Sequence, residues 1–272
     1  MKLRTLVLAA TLSLSSTALW AAGTSLTWYG HAAFKITTPS VKTLLIDPWI
    51  TNPSNPHGKE DLADIKQADL ILISHGHFDH VGNSVEIARK TGAKLVATYD
   101  LGSELTTYGG YPAKQAGMDT MGNFGGTLSL LDGEVKVTFI PAVHSSTVMP
   151  PEGSADKDIH DGGAPGGFVI QVKNGPTFYH TGDTDVFQDM SLIRKFSHID
   201  VMMACIGGHF TMDPKRAALA VDMVKPKEVV PMHYGTFPIL DGTPSELRQA
   251  MDKLGDKKIP VHTMKVDEVL HF

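Results

Sequence analysis

The segment ILISHGHFDHVGNS, residues 71–84, constrains this chain more than any other stretch. An apolar run of strand type, DLILIS, stops at Ser74, and His75, His77, Asp79 and His80 follow as H-x-H-x-D-H. A strand end is stiff on its sheet side and open on the other, so side chains placed there are held firmly yet stay reachable. Imidazole and carboxylate are the usual ligands of zinc and its neighbours. His75 and His77, two residues apart, can point the same way and share one ion. Asp79 and His80 are adjacent and face differently, which suits a second ion nearby. At this chain's His and Asp frequencies the spacing arises by chance in on the order of one chain in a few hundred. A polar turn with satisfied histidines is the ordinary alternative.

Three further apolar runs end the same way. EVKVTFIPAVHSS delivers His144, GPTFYHTGDTD delivers Asp183, and KEVVPMHYGTF delivers His233. A lone histidine is usually structural, but strand-terminal candidates that accompany the cluster are a different matter. A purely structural zinc site is closed by four ligands and rich in Cys. Here there are seven candidates and none is Cys, which favours an open catalytic pair.

The remaining pattern fits a fold that could gather those ends. SLTWYG and AAFKIT read as a first hairpin and KTLLID as the next strand. DLILIS and AKLVAT flank a helical SVEIARKTG. EVKVTFIPA alternates like a half-buried strand. GGFVIQV and GPTFYHTGD are joined by the hairpin turn Lys173-Asn174-Gly175. HIDVMMACIGG and KEVVPMHYG are later strands. PKRAALAVDMV between them is a helix capped by Asp213, and SELRQAMDKLG is a helix stopped at Gly255. Hairpins come early and helices alternate with strands later. That predicts an α/β chain whose two sheets pack face to face with helices outside.

Composition enters at three points. With 272 residues, 42% apolar and 19% charged, the chain can bury a sizeable core. Residues 1–22 read as a secretory signal: Lys2 and Arg4 form the basic start, LVLAATLSL the apolar stretch, and STALWAAG the small-residue cleavage region. The domain proper is then 23–272, and export to a bacterial periplasm or beyond is expected. Removing Lys2 and Arg4 takes the net charge from −5 to −7. An acidic protein is a poor general binder of nucleic acid or anionic membrane, and no other stretch is suited to stable membrane insertion. The single cysteine, Cys205, excludes an intrachain disulfide and reads as a buried core thiol.

The order of these motifs resembles the metallo-β-lactamase fold superfamily, specifically the metal-dependent hydrolases of the UPF0173 type. WYGHAAF (28–34), SHGHFDH (74–80), PAVHSS (141–146), YHTGDTDVF (179–187), GGHFTMDP (207–214) and KPKEVVPMHYGTFP (225–238) carry the resemblance. It covers essentially all of residues 23–272. It implies an αββα four-layer sandwich with two divalent ions at one edge of the sheets. His75, His77 and His144 would bind the first ion, Asp79, His80 and His233 the second, and Asp183 would bridge them. Zinc is the default, and manganese, nickel or iron also suit such ligands. Asp183 stands where class B1 β-lactamases have a cysteine ligand, which speaks against antibiotic hydrolysis.

Two ions about 3.5–4 Å apart can share a water and bring its pKa toward neutrality. The expected chemistry is attack of that hydroxide on an ester-type bond, phosphodiester or lactone, of a small molecule. Asp79 is the expected catalytic residue, holding the second ion and hydrogen-bonding the hydroxide. The rival reading is a non-catalytic metal-binding or ligand-sensing protein of the same fold. His31 and His180 read equally as groups orienting a ligand or as ordinary structural imidazoles. His209 is a weaker candidate for lining the pocket, set against a surface role. His160, in a Gly-rich loop, reads as flexible surface.

Overall fold

The computed structural model describes residues 23–272; the signal-like segment 1–22 lies outside the described residues. Two sheets form the centre. The first has seven strands: β1 (Ser25–Trp28), β2 (Phe34–Thr37), β3 (Thr43–Ile46), β4 (Leu70–Leu72), β5 (Lys94–Thr98), β6 (Met121–Gly122) and, on the β1 edge, the C-terminal β15 (Val269–His271). The second has six: β7 (Thr127–Leu130), β8 (Val135–Pro141), β11 (Gly166–Val172), β12 (Thr177–His180), β13 (Val201–Cys205) and β14 (Glu228–Met232). Each sheet is antiparallel where hairpins build it and parallel where helices cross over: β3 to β6 in the first, β12 to β14 in the second.

The layering follows from the period of two along each strand. Leu44, Ile46, Leu70, Leu72 and Val96 point into the core between the sheets. Their neighbours Leu45, Ile71, Ile73, Leu95 and Ala97 point the other way, beneath helices. Those helices are α1 (Gly58–Asp64), α2 (Phe78–Val81), α3 (Ser84–Thr91) and α4 (Tyr99–Thr107). On the far side α5 (Met190–Phe196), α6 (Pro214–Val224) and α7 (Pro244–Leu254) cover the second sheet. Strands buried on both faces need near-continuous apolar sequence, and VMMAC and LIL supply it. The expected αββα sandwich is the fold.

Local chemistry sets the helix ends. Asp213 accepts hydrogen bonds from the backbone N–H of Lys215 and Arg216, with Pro214 in the first helical position of α6. Thr243 and Glu246 form a reciprocal capping box on α7, and Gly255 stops it at φ +91°. The 173–175 turn is a hairpin turn, with Asn174 at φ +59° and Gly175 N–H bonded to the Val172 carbonyl.

The structure adds elements that the sequence pattern did not announce. Helices α1 and α4 are two. The segment 145–165 is a third case, because it is no open loop: β9 (Thr147–Val148) pairs with β10 (His160–Asp161), and Val148 is buried against the outer core. His160 is therefore not flexible surface. Its ring stacks on Tyr108 at 3.6 Å and bonds Asp156 at 2.8 Å.

Cys205 ends β13, fully buried, and burial beside the Asp183 carboxylate pushes its thiol up to about 11. A thiol so placed is inert. Folded protein at pH 8 should fail to react with 5,5′-dithiobis(2-nitrobenzoate) over an hour, and should release one equivalent of thionitrobenzoate on unfolding in guanidinium. Prompt reaction in the folded state would contradict this packing.

Candidate metal centre

Four strand ends build the site. His75 lies three residues past β4, His144 three past β8, Asp183 three past β12, and His233 immediately follows β14. Asp79 and His80 sit in the short helix α2, which begins straight after His77. The structure brings all seven side chains into one cluster.

The imidazoles converge nitrogen to nitrogen. His75 Nε2 is 2.9 Å from His77 Nδ1, which is 3.3 Å from His144 Nε2. No acceptor oxygen explains this approach of three ring nitrogens. Asp183 stands between that trio and the rest. Its Oδ2 is 3.9 Å from His75, 3.6 Å from His144 and 3.1 Å from His233, and its Oδ1 is 3.2 Å from His80. Asp79 Oδ2 is 3.7 Å from His233 Nε2. Candidate ligand atoms form three sets, each with its atoms within 4.8 Å of one another. They are His75, His77 and His144; His31, Asp79, His80 and His233; and His75, His80 and Asp183.

The charges depend on one another. Burial alone would raise Asp183, but His233 and His80 outweigh it and hold the carboxyl well below its usual range. Burial lowers His80, yet Asp183, Asp47 and Asp79 carry it well above the ordinary imidazole value. Burial also lowers His233, and the carboxylates Asp183 and Asp79 bring it up to about 9. His75 has no such excess of anions: burial and its imidazole neighbours, His80 first, drive it well below. Even so, His80 Nε2, Asp183 Oδ1 and both ring nitrogens of His233 lack an aligned hydrogen-bond partner. The ion-pair approaches above are close but poorly angled. A buried polar atom left so costs about 1–3 kcal/mol. A nitrogen and oxygen donor set of this kind is suited to divalent transition ions.

A second ring of residues aims the first. Asp47 Oδ2 holds His80 Nδ1 at 2.7 Å and accepts the Ser74 hydroxyl at 2.6 Å, while its Oδ1 accepts Ser74 N–H at 2.8 Å. Ser74 Oγ in turn lies 2.9 Å from His75 Nδ1. Both arrangements leave Nε2 of His75 and His80 facing the cluster. His31 uses both nitrogens, Nε2 on Asp79 Oδ2 at 3.0 Å and Nδ1 on Thr236 Oγ1 at 2.9 Å. Its Nε2 bond orients Asp79, while the ring also lies within the second set of candidate ligand atoms. His180 bonds the Ala32 carbonyl and the Gly182 N–H, so it shapes the turn before Asp183. Ser146 Oγ accepts from Gly76 N–H and is structural. His209 is exposed beside Phe210 and is not brought to the seven.

His31, Asp47 and His233 adopt φ of +51°, +44° and +55°. Left-handed non-glycine residues cost of order 1–3 kcal/mol each and cluster at functional sites. Gly182 has φ +60° and lies against the Gly166 carbonyl, so no side chain fits there. Sequence reasoning missed Asp47, Ser74 and Thr236. Asp47 had the same signal as His75, His144, Asp183 and His233, a polar group ending an apolar run, here TLLI.

Comparison with known proteins agrees with this geometry. Residues 42–234 match the family model described as a beta-lactamase superfamily domain. The chain is 56% identical over 243 residues to a UPF0173 metal-dependent hydrolase of Thermodesulfovibrio yellowstonii, covering 89% of each protein. It is 42% identical to one from Pyrobaculum calidifontis, covering 89% of this chain and 97% of that one. Among solved structures, Igni18, a metallo hydrolase from Ignicoccus hospitalis, superposes with a TM-score of 0.76 at 36% identity, covering 92% of this chain and 98% of that one. With its fold, its clustered imidazoles and carboxylates and these relatives, the chain belongs to the beta-lactamase superfamily and, within it, to the UPF0173 metal-dependent hydrolases.

Proposed function

We propose that the protein is a dinuclear metal-dependent hydrolase acting on an ester-type bond, phosphodiester or lactone, of a small molecule. The observation that supports this most is the division of the seven side chains into two groups that meet at Asp183. His75, His77 and His144 would hold one ion; Asp79, His80 and His233 would hold the other; Asp183 would serve both. Zinc is the default occupant. Bound there, divalent ions would polarise the scissile carbonyl or phosphoryl group and make water acidic enough to attack it at neutral pH.

The chain's own residues supply the rest. Burial would raise Asp79, but His80, His233 and His31 outweigh it and hold its carboxyl far below the usual range. It is thus an anion at every physiological pH and accepts the His31 hydrogen bond as one. His31 is lowered to about 4, mainly by burial and then by His233, so it stays neutral and donates its N–H to Asp79. Access is one-sided. Asp79 is 15% exposed, His144 12% and His77 half-buried, whereas His75, His80, Asp183 and His233 are closed off. An open face of this kind supports a catalytic reading over a closed structural site. The signal-like residues 1–22 would send the enzyme to the periplasm.

Purified protein reloaded with zinc or manganese should hold two equivalents by elemental analysis. It should hydrolyse bis(4-nitrophenyl) phosphate or a simple lactone, and Asp79→Ala should lose at least a hundredfold in kcat/KM. No metal after reloading would end this reading.

Asp47→Asn keeps the shape but removes the charge behind His80. Groups that orient a ligating histidine are worth about 10–100-fold in metal affinity. The variant should lose affinity within that range in a chelator-competition titration; unchanged affinity would remove Asp47 from the site.

His233 carries a proton below about pH 9 in the metal-free protein, and a ligating ring must shed it. Metal affinity should therefore rise with pH from 6 toward 9, with protons released on binding at pH 7. Calorimetry in two buffers of different ionisation enthalpy measures that release, and identical heats in both would refute it.

A further inference from the structure

The loop that carries His75, His77 and Asp79 also forms one wall of a groove that the ligand set does not use. Gly76 and Phe78 lie between the candidate ligands, and both line it. From there the wall continues along one side of α2 and α3 through Val81 and Val85. Met149 of the 145–165 segment also lines it, and the buried side chains of Leu105 from α4 and Val148 from β9 underlie it. Gly76 is what lets that segment approach: a Cβ there would stand 2.6 Å from the Thr147 carbonyl oxygen. Phe78 is 59% exposed and Met149 57%, both large apolar groups at the mouth. Phe78 is steadied edge-on by Trp49 at 5.5 Å. The groove holds about 370 Å³. At roughly 30 Å³ per water-sized group that is room for about a dozen heavy atoms.

One cation faces this apolar space. Arg89, one helical turn beyond Val85, lines the groove. It donates to the Gly110 carbonyl at 3.0 Å and makes no ion pair among the described residues. An apolar groove that begins at the ligand loop and meets an unpaired guanidinium suits a medium-length alkyl chain ending in a carboxylate.

We propose that this groove binds the acyl chain of the substrate, and that the substrate is a carboxylic ester or lactone whose acyl chain is apolar and carries a terminal carboxylate. The proposal rests on the hydrolase reading above and narrows it. Water adds to the acyl carbon and the acyl C–O bond breaks; an open ester gives the dicarboxylic acid and the alcohol, and a lactone gives a single hydroxy-dicarboxylic acid. The chain lies against Phe78, Val81, Val85 and Met149, and the far carboxylate meets Arg89.

The test uses zinc-loaded full-length mature protein and three probes: 4-nitrophenyl acetate, 4-nitrophenyl octanoate and mono-4-nitrophenyl octanedioate. A fully buried methylene is worth about fourfold. The octanoyl ester should therefore exceed the acetyl ester in kcat/KM by at least tenfold, and the octanedioyl ester should exceed the octanoyl ester. Val85→Trp, which fills the groove, should bring the octanoyl-to-acetyl ratio near one. Arg89→Ala should abolish the advantage of octanedioyl over octanoyl and keep the chain-length effect. Ratios cancel any loss of folded protein. Ester turnover without chain-length dependence, or ratios indifferent to Val85→Trp, would leave the hydrolase reading standing and overturn the groove. If no ester is turned over, calorimetry of octanedioate decides the groove separately. Binding weakened tenfold by Val85→Trp and by Arg89→Ala upholds it while the ester reading falls. Absent binding, or binding that neither variant changes, overturns it.

Discussion

Asp183 is a carboxylate with 3% of its side chain exposed, and four imidazoles lie within 4 Å of it. An isolated buried carboxylate costs several kcal/mol, and so does a protonated imidazole without an anion. Each half of this cluster makes the other tolerable. Neither half can form locally, because the five residues arrive from strands in both sheets. The energetic solution therefore exists only if β4, β8, β12 and β14 all end at one edge. Parallel order in the β3–β6 and β12–β14 halves arranges this for β4, β12 and β14, and β8 ends at the same edge because two antiparallel steps through β11 give it the direction of β12. The crossover helices that parallel order requires then supply the outer two layers.

The apolar core underneath has a different task. Three imidazoles crowd together with ring nitrogens 2.9 and 3.3 Å apart, and three residues around them hold left-handed backbone. Such strain persists only where the surroundings over-determine it. Leu72, Phe139 and Phe168, packed between the sheets immediately below, give the strand ends no freedom to relax. Asp47 transmits that rigidity. It grips Ser74 by backbone and hydroxyl and His80 by its ring, so one side chain from β3 fixes two ligand positions from the next strand.

What the sequence made legible follows from this division. A metal ligand must be polar, and it must sit at a stiff place, so His75, His144, Asp183 and His233 stood out as polar punctuation after apolar runs. The two-sheet layering was legible because hairpins come early and helices alternate with strands later, and runs such as TLLI and VMMAC prove apolar enough to be covered on both faces. Asp47 was passed over because an acid before Pro48 also suits an ordinary turn; only the fold shows it aimed at His80. Thr236 had no signal, since its partner His31 lies 205 residues away. Helix α4 was hidden by its composition: Gly102 and two threonines weaken a nine-residue pattern, and the glycine is there because the Met121 side chain fills the space a Cβ would take.

Substrate recognition was illegible for a related reason. Ligands are rare residue types whose presence alone is informative. A groove is made of common ones, and each has an ordinary explanation in its own segment: Val81 and Val85 as the inner stripe of short helices, Leu105 as core, Met149 as loop. Their shared meaning arises from juxtaposition, across α2, α3, α4 and the β9 segment. The same holds for Arg89, one more surface cation on α3 until Gly110 and the groove are placed beside it. A fold of this design can keep its charged centre fixed, because those residues constrain one another within a few ångströms. It can change what it accepts through residues that constrain nothing but shape. The 145–165 segment joins the two parts: Ser146 is bonded to the ligand loop at Gly76, while Met149, three residues on, faces solvent at the groove mouth. A substitution at the first would disturb the centre, and one at the second would alter only the space offered to the substrate.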